Sequence, residues 1–414
     1  MAILFKDINS LVTVDNAGKE YKVGTEMQSV GEIKNGAMIV TDKVEWVGKT
    51  DNIGSVIDSY QIDKEVSLKG KTVLPGFVDS HTHIVFGGNR SNEFGMRLRG
   101  ATYEEIAAAG GGIQNTVKAT RNASIEELAT VGEKLAKNAA KYGTTSIEIK
   151  SGYSLTTEGE LKQLEAIKHL SETLPLRITP TFMGAHDFPP ELKNDREKYI
   201  DLVVNEMIPQ VSESNLAEYC DVFVDKGYYT TEQGKRVLEA GKKYGLLPKS
   251  HCDELADVGA AAMAAEVGAV SADHLLFIND DGIKKMKQSG TIAGLLPGTA
   301  YFIKMPYAPA RKLIDRGVIT AVATDCNPGS CFTENMQTIL SLSVINMGMT
   351  AEEAINAATI NGAYSIRKSD TVGSLEVGKH ADFIVCNCDN YIDLFYHFGI
   401  NHVEQTWIGG KEVN

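Results

Sequence analysis

Gly76-Phe77-Val78-Asp79-Ser80-His81-Thr82-His83 is the stretch on which the reading of this chain turns. A short strand-like run leads without a break into a His-x-His pair, and in an extended segment side chains i and i+2 share a face. Both imidazoles therefore leave the end of one strand in the same direction, an arrangement suited to holding one metal ion. Taken alone, the pair equally describes two surface or hydrogen-bonded structural histidines, so its meaning depends on what surrounds it.

Downstream, the chain repeats apolar strand, loop and helix as far as residue 371. After 76–79 the strand candidates are 145–149, 177–182, 221–224, 247–250, 270–273, 291–295 and 319–323. The helical stretches 124–143, 157–174 and 231–245 open with Ser or Thr near acidic residues, and two of them end at glycine. Eight such units predict an α/β fold, a (β/α)8 TIM-like barrel over residues 75–371. Residues 1–74 and 372–414 are instead short β-branched or alternating runs separated by Asn, Gly and Lys turns, and predict a small β-sandwich module built from both termini.

Composition bounds the function. The 414 residues carry 41 basic and 54 acidic side chains, a formal charge of −13, which argues against nucleic acid as a partner. With 43% hydrophobic and 23% charged residues the chain is ordinary globular protein and not a disordered one. No apolar run approaches the roughly 20 residues that cross a bilayer, and the opening residues MAILFKDINS lack a basic n-region and an apolar h-region. A soluble cytoplasmic protein with no membrane partner is expected. The six cysteines, Cys220, Cys252, Cys326, Cys331, Cys386 and Cys388, contain no CxxC and read as reduced thiols. The run Gly110-Gly111-Gly112 follows a helical stretch and not a strand, so it reads as an active-site loop that ends a helix, not as a phosphate loop.

Three more polar groups stand at the ends of later strands: His251 after 247–250, His274 after 270–273 and Asp325 after 319–323. Active sites of (β/α)8 barrels lie at that face, where residues distant in sequence converge. The His-x-His pair, a further histidine and a carboxylate form an N3O set that suits Zn(II) or Fe(II) with a position left for water.

Seven segments carry a resemblance: LPGFVDSHTHIVFGGNR (74–90), AAAGGGIQNTVKATR (107–121), EIKSGYS (148–154), TFMGAHDFPPE (181–191), HCDEL (251–255), SADHL (271–275) and ATDCNPGS (323–330). Together, in this order, they resemble the amidohydrolase superfamily of metal-dependent barrels, and within it the imidazolonepropionase family. The chain departs from the family at Ser154, where glycine is expected after the tyrosine.

The resemblance implies hydrolysis of 4-imidazolone-5-propanoate to N-formimino-L-glutamate, a step of histidine degradation in which the C–N bond of a cyclic amide opens. It implies one Zn(II) or Fe(II) per subunit held by His81, His83, His251 and Asp325, with Asp325 also accepting the proton of the attacking water. His274 lies just outside the metal, toward the carbonyl or the water, and Glu254 shuttles a proton to the leaving nitrogen. Arg90 pairs with the propionate of the small anionic substrate, its planar fork matching a carboxylate. Tyr153 and His186 line the same pocket, and Asn327, Gly329 and Ser330 offer donors to the product's new carboxylate. A homodimer is expected. Two rivals stand beside this reading. One is a two-metal amidohydrolase of the dihydropyrimidinase or dihydroorotase kind, with Lys226 carbamylated as the bridge and both later histidines on the second ion. The other is an inactive barrel kept as a scaffold, which would be expected to have lost at least one of these residues.

Overall fold

The computed structural model describes residues 1–101, 105 and 111–414. Five strands come first: β1 (Ala2–Val12), β2 (Glu32–Val40), β3 (Val44–Lys49), β4 (Ile62–Ser67) and β5 (Thr72–Pro75). Eight parallel strands follow, hydrogen-bonded in chain order: β6 (Phe77–Asp79), β7 (Thr144–Lys150), β8 (Arg177–Ala185), β9 (Tyr219–Val224), β10 (Leu247–Cys252), β11 (Ser271–His274), β12 (Ile292–Leu295) and β13 (Thr320–Val322). The last three are β14 (Phe383–Cys386), β15 (Val403–Ile408) and β16 (Lys411–Glu412). Each of the eight strands read from the sequence is present, and helices cover the barrel they form.

Those helices begin where capping chemistry places them. Ser124 Oγ accepts the Glu127 N–H while the Glu127 carboxylate accepts the Ser124 N–H, which starts the helix Ile125–Lys141. Thr230 and Gln233 form the same reciprocal pair at the start of Thr231–Lys243. Of the glycine run at 110–112, Gly110 and the four residues before it lie outside the described residues. Gly112 is the N-cap of the helix Ile113–Asn122, with φ at 85°.

The two edges of the barrel sheet, β6 and β13, join just beyond their strand ends. Thr324 donates from its N–H and its hydroxyl to the Asp79 carboxylate at 2.9 and 2.6 Å. One residue higher, the Asp325 N–H donates to His81 O at 3.0 Å and the His83 N–H to Cys326 O at 2.9 Å. The barrel thus closes through the backbone of residues that the sequence singles out for chemistry.

Strands from both termini form one mixed sheet in the order β16-β15-β14-β5-β1-β2-β3, with β4 also paired to β1. Residues 2–12 form the single strand β1, and a bulge at Asp7 (φ 58°) bends it. Its first half pairs with β4 and its second with β5, so the sheet turns back over a shared core. There Phe5 meets Phe383 and Trp407 edge-on at 5.3 and 5.1 Å, and Phe383 stacks on Trp407. Leu375 fills the same core from outside any strand. The module is tied to the barrel by an Arg177–Asp382 ion pair at 2.5 Å and by the Thr406 hydroxyl donating to Ala140 O. All six cysteines are free thiols. No helix among the described residues is long and apolar enough to cross a membrane.

Candidate active site

His81 and His83 follow β6, His251 sits in β10, His274 ends β11, and Asp325 lies three residues past β13. All five are at most 3% exposed. The Nε2 atoms of His81, His83 and His251 form a triangle with sides of 3.1, 3.3 and 3.3 Å. Asp325 Oδ1 stands 3.5 Å from His81 Nε2 and 3.7 Å from His83 Nε2.

Three nitrogens this close need a proton or a cation between them. Burial drives the pKa of His81 and His83 well below the ordinary imidazole value, so these rings are neutral. His81 Nδ1 faces Asp273 Oδ2 at 2.7 Å and His251 Nδ1 faces Asp221 Oδ1 at 3.1 Å. A carboxylate accepts, so the proton is assigned to Nδ1 in both rings and the Nε2 lone pairs face inward. Ligand bonds of about 2.0–2.1 Å in a tetrahedron separate donors by ~3.3 Å, which is the spacing found. The residues fit a divalent ion of the Zn(II) or Fe(II) kind.

Asp325 Oδ2 accepts the Thr299 hydroxyl, and burial raises the pKa of this carboxyl to about 6. Its backbone is left-handed (φ 52°), as are those of His274 (φ 76°) and Leu275 (φ 63°). Such positions cost on the order of 1–3 kcal/mol each and persist where the surroundings over-determine them. His274 is neutral, because burial pushes its pKa well down, and neither of its ring nitrogens has a hydrogen-bond partner among the described residues. Its Nδ1 lies 3.6 Å from Glu254 Oε2. Burial raises the Glu254 carboxyl well above the usual range, helped by the charges of Asp325 and Asp225, which favours its protonated form. Asp225 fixes this segment by accepting the N–H groups of Glu254 and Leu255 at 2.6 and 2.8 Å.

Above the histidines opens a cavity of about 1130 Å³ that Arg90, Tyr153, His186 and Glu254 line together. Arg90 Nε donates to Glu93 at 2.9 Å, and its guanidinium lies against Gly329, where a Cβ would come within 2.1 Å of Nη1. A side chain on residue 329 would displace the Arg90 guanidinium from its place. His186 stacks on His83 at 5.1 Å, its Nδ1 on Gly152 O, and burial lowers its pKa to about 3. The Tyr153 loop is held by Glu160, which accepts the N–H groups of Gly152, Ser154 and Leu155. Ser154 causes no backbone strain. Its side chain fills space that Gly159 leaves open, since a Cβ on residue 159 would lie 1.6 Å from Ser154 Oγ.

Asn327, Gly329 and Ser330 line the same cavity, with their donors engaged within one turn. The N–H groups of Gly329 and Ser330 are taken by Asn327 Oδ1 at 2.8 and 2.7 Å, and Asn327 Nδ2 is spent on Asp325 O and Ser330 Oγ. The three residues shape a closed turn under Arg90 and do not present free donors. Lys226 is exposed and does not line the cavity, because the turn after β9 carries it outward. The bridging carbamate of the two-metal rival has no lysine at that place. The sequence reading passed over Asp221 and Asp273, the carboxylates behind His251 and His81, and the charged residues beneath them. Their signal was a charged side chain at alternate positions of strands that otherwise read as apolar.

A family model described as the amidohydrolase family matches residues 72–413. The chain is 48% identical to an imidazolonepropionase of Geobacillus kaustophilus (strain HTA426), over 97% of this chain and 96% of that one. It is 46% identical to an imidazolonepropionase of Alkaliphilus metalliredigens (strain QYMF), over 99% and 97%. Among solved structures it superposes on an adenosine deaminase from Xanthomonas campestris with bound zinc (TM-score 0.72, 17% identity, 99% of this chain and 92% of that one). A guanine deaminase from E. coli matches with a TM-score of 0.70 at 16% identity, over 100% and 99%. At such identities the two structures speak for the fold.

Proposed function

The chain belongs to the imidazolonepropionase family of amidohydrolases, and from that membership we propose that it hydrolyses 4-imidazolone-5-propanoate to N-formimino-L-glutamate in histidine degradation. The observation that supports this most directly is the triangle of imidazole Nε2 atoms beside Asp325, at the floor of a cavity whose wall includes the Arg90 guanidinium.

Opening a cyclic amide needs a nucleophile from water, stabilisation of the oxyanion and a proton for the departing nitrogen. His81, His83, His251 and Asp325 would hold one Zn(II) or Fe(II) per subunit, and such an ion lowers the pKa of water from 15.7 to about 7 and polarises a carbonyl. Asp325 Oδ1, facing the histidines with Oδ2 anchored on Thr299, accepts the proton of the attacking water. His274, neutral and with no hydrogen-bond partner among the described residues, directs an N–H to the carbonyl oxygen as it gains charge. Water's oxygen bonds to the carbonyl carbon, the C–N bond breaks, and Glu254 delivers its proton to the nitrogen. Arg90 holds the propionate, and Tyr153 and His186 wall the ring. The reading includes a cytoplasmic homodimer, the commonest symmetric assembly.

The test follows the ultraviolet absorbance of freshly made substrate with purified protein, before and after chelation. Turnover should vanish on chelation and return when one equivalent of metal is restored. Metal-replete protein that leaves the absorbance unchanged overturns the assignment. Arg90→Met tests the anion contact: a charged hydrogen bond is worth about 1.5–3 kcal/mol, so kcat/KM should fall about 10- to 150-fold. Most of that loss belongs in KM, because the contact exists in ground and transition states alike. A change confined to kcat would remove Arg90 from that role.

A further inference from the structure

Directly beneath the histidines the barrel interior is charged, where such barrels are ordinarily filled by branched aliphatic side chains. Glu148 and Lys150 of β7, Asp221 of β9, Lys249 of β10 and Asp273 of β11 are all at most 2% exposed. Lys150 Nζ lies 2.8 Å from Glu148 Oε1 and 2.9 Å from Asp221 Oδ2. Lys249 Nζ lies 2.6 Å from Glu148 Oε2 and 3.1 Å from Ser80 O. The charges alternate around the layer, and at Asp221 the chain of contacts leaves it. Asp221 spends Oδ1 on His251 Nδ1 and turns Oδ2 to the Lys150 ammonium.

Stability alone does not account for such a layer, since buried ion pairs are often replaced by packed apolar residues without loss. Its connection to the histidines does. Apart from the Lys150 ammonium at 2.9 Å, no hydrogen-bond donor reaches Asp221 Oδ2 among the described residues, so the ammonium across the barrel is the group that stops this carboxylate from turning about its soft terminal torsion. We propose that Lys150 is a positioning residue of the metal centre: by fixing Asp221 it sets the ring plane of His251 and keeps the His251 Nε2 lone pair on the common point. The inference rests on the metal reading above and adds a residue that touches neither ion nor substrate.

The test measures Zn(II) affinity by competition with a chromophoric chelator, with the wild type titrated alongside. A wild type that takes up no Zn(II) defeats the metal reading itself, whereas a difference among variants addresses Lys150. Loss of a partner behind a ligand histidine weakens metal binding about 10- to 100-fold, and Lys150→Met and Asp221→Asn should each do so. Because Lys150 acts through Asp221, the double variant Lys150→Met/Asp221→Asn should bind no more weakly than Asp221→Asn alone. The double variant also removes one charge of each sign and leaves Glu148 with Lys249. Should Lys150→Met fail to fold, the charge-balanced Glu148→Gln/Lys150→Met takes its place with the same expected loss. Wild-type affinity in the lysine variant, or losses that multiply in the double variant, overturns the proposal.

Discussion

Asp325→Ala abolishes hydrolysis, with kcat down by at least the ~10²–10⁴-fold that a positioned proton acceptor contributes. The loss compounds, because the same carboxylate is the oxygen donor beside the three nitrogens at 3.5 and 3.7 Å from His81 and His83. Alanine also strips the Thr299 hydroxyl of its acceptor and must adopt a φ of 52°. Asp325→Asn is therefore the sharper comparison: it keeps the hydrogen bond and tolerates the backbone, yet neither ligates nor accepts a proton as a carboxylate does. Steady-state kinetics with metal analysis of each sample decides it. A turning-over Asp325→Ala protein would sink the mechanism.

The second large effect belongs to Glu254. Glu254→Gln should retain metal and substrate affinity while kcat drops about 10²–10⁴-fold. The amide matches the shape of the neutral acid that burial maintains at this position, and Asp225 still holds the backbone N–H. What disappears is a proton that can leave. An equal fall in kcat and in kcat/KM with KM unchanged identifies an interaction made in the transition state. If KM rises and kcat stays, Glu254 binds substrate and the nitrogen takes its proton from another group.

The parts of this site legible in the sequence are those that stand at strand ends after apolar runs. His81, His83, His251, His274 and Asp325 are each found that way, and the structure brings them within one centre. Tyr153, His186 and Glu254 have ordinary structural readings as single residues, and Arg90 stands out only by its place on the loop after the His-x-His pair. They came forward through the resemblance, and the cavity collects all four. Asp221, Asp273 and Lys150 stayed hidden because a barrel strand is covered on both faces, and its near-continuous apolar texture masks which alternate positions point inward. Lys226, kept open only for the two-metal rival, is the solvent-facing turn lysine that the simpler reading of its turn gives. The bulge at Asp7 within β1 has no marker beyond an acidic residue in a polar gap.

The seam between β6 and β13 has a consequence for how the protein opens. Its upper rungs are the amide of Asp325 on His81 and the amide of His83 on Cys326, so the edge where the cylinder could part is also the line along which three of the proposed metal-holding side chains are spaced. Parting that edge disperses the donors, and any ligand that binds them together resists the parting by its own binding free energy. Occupancy of the centre and closure of the cylinder are then a single linked equilibrium: loss of the ion loosens the wall, and a loosened wall gives up the ion.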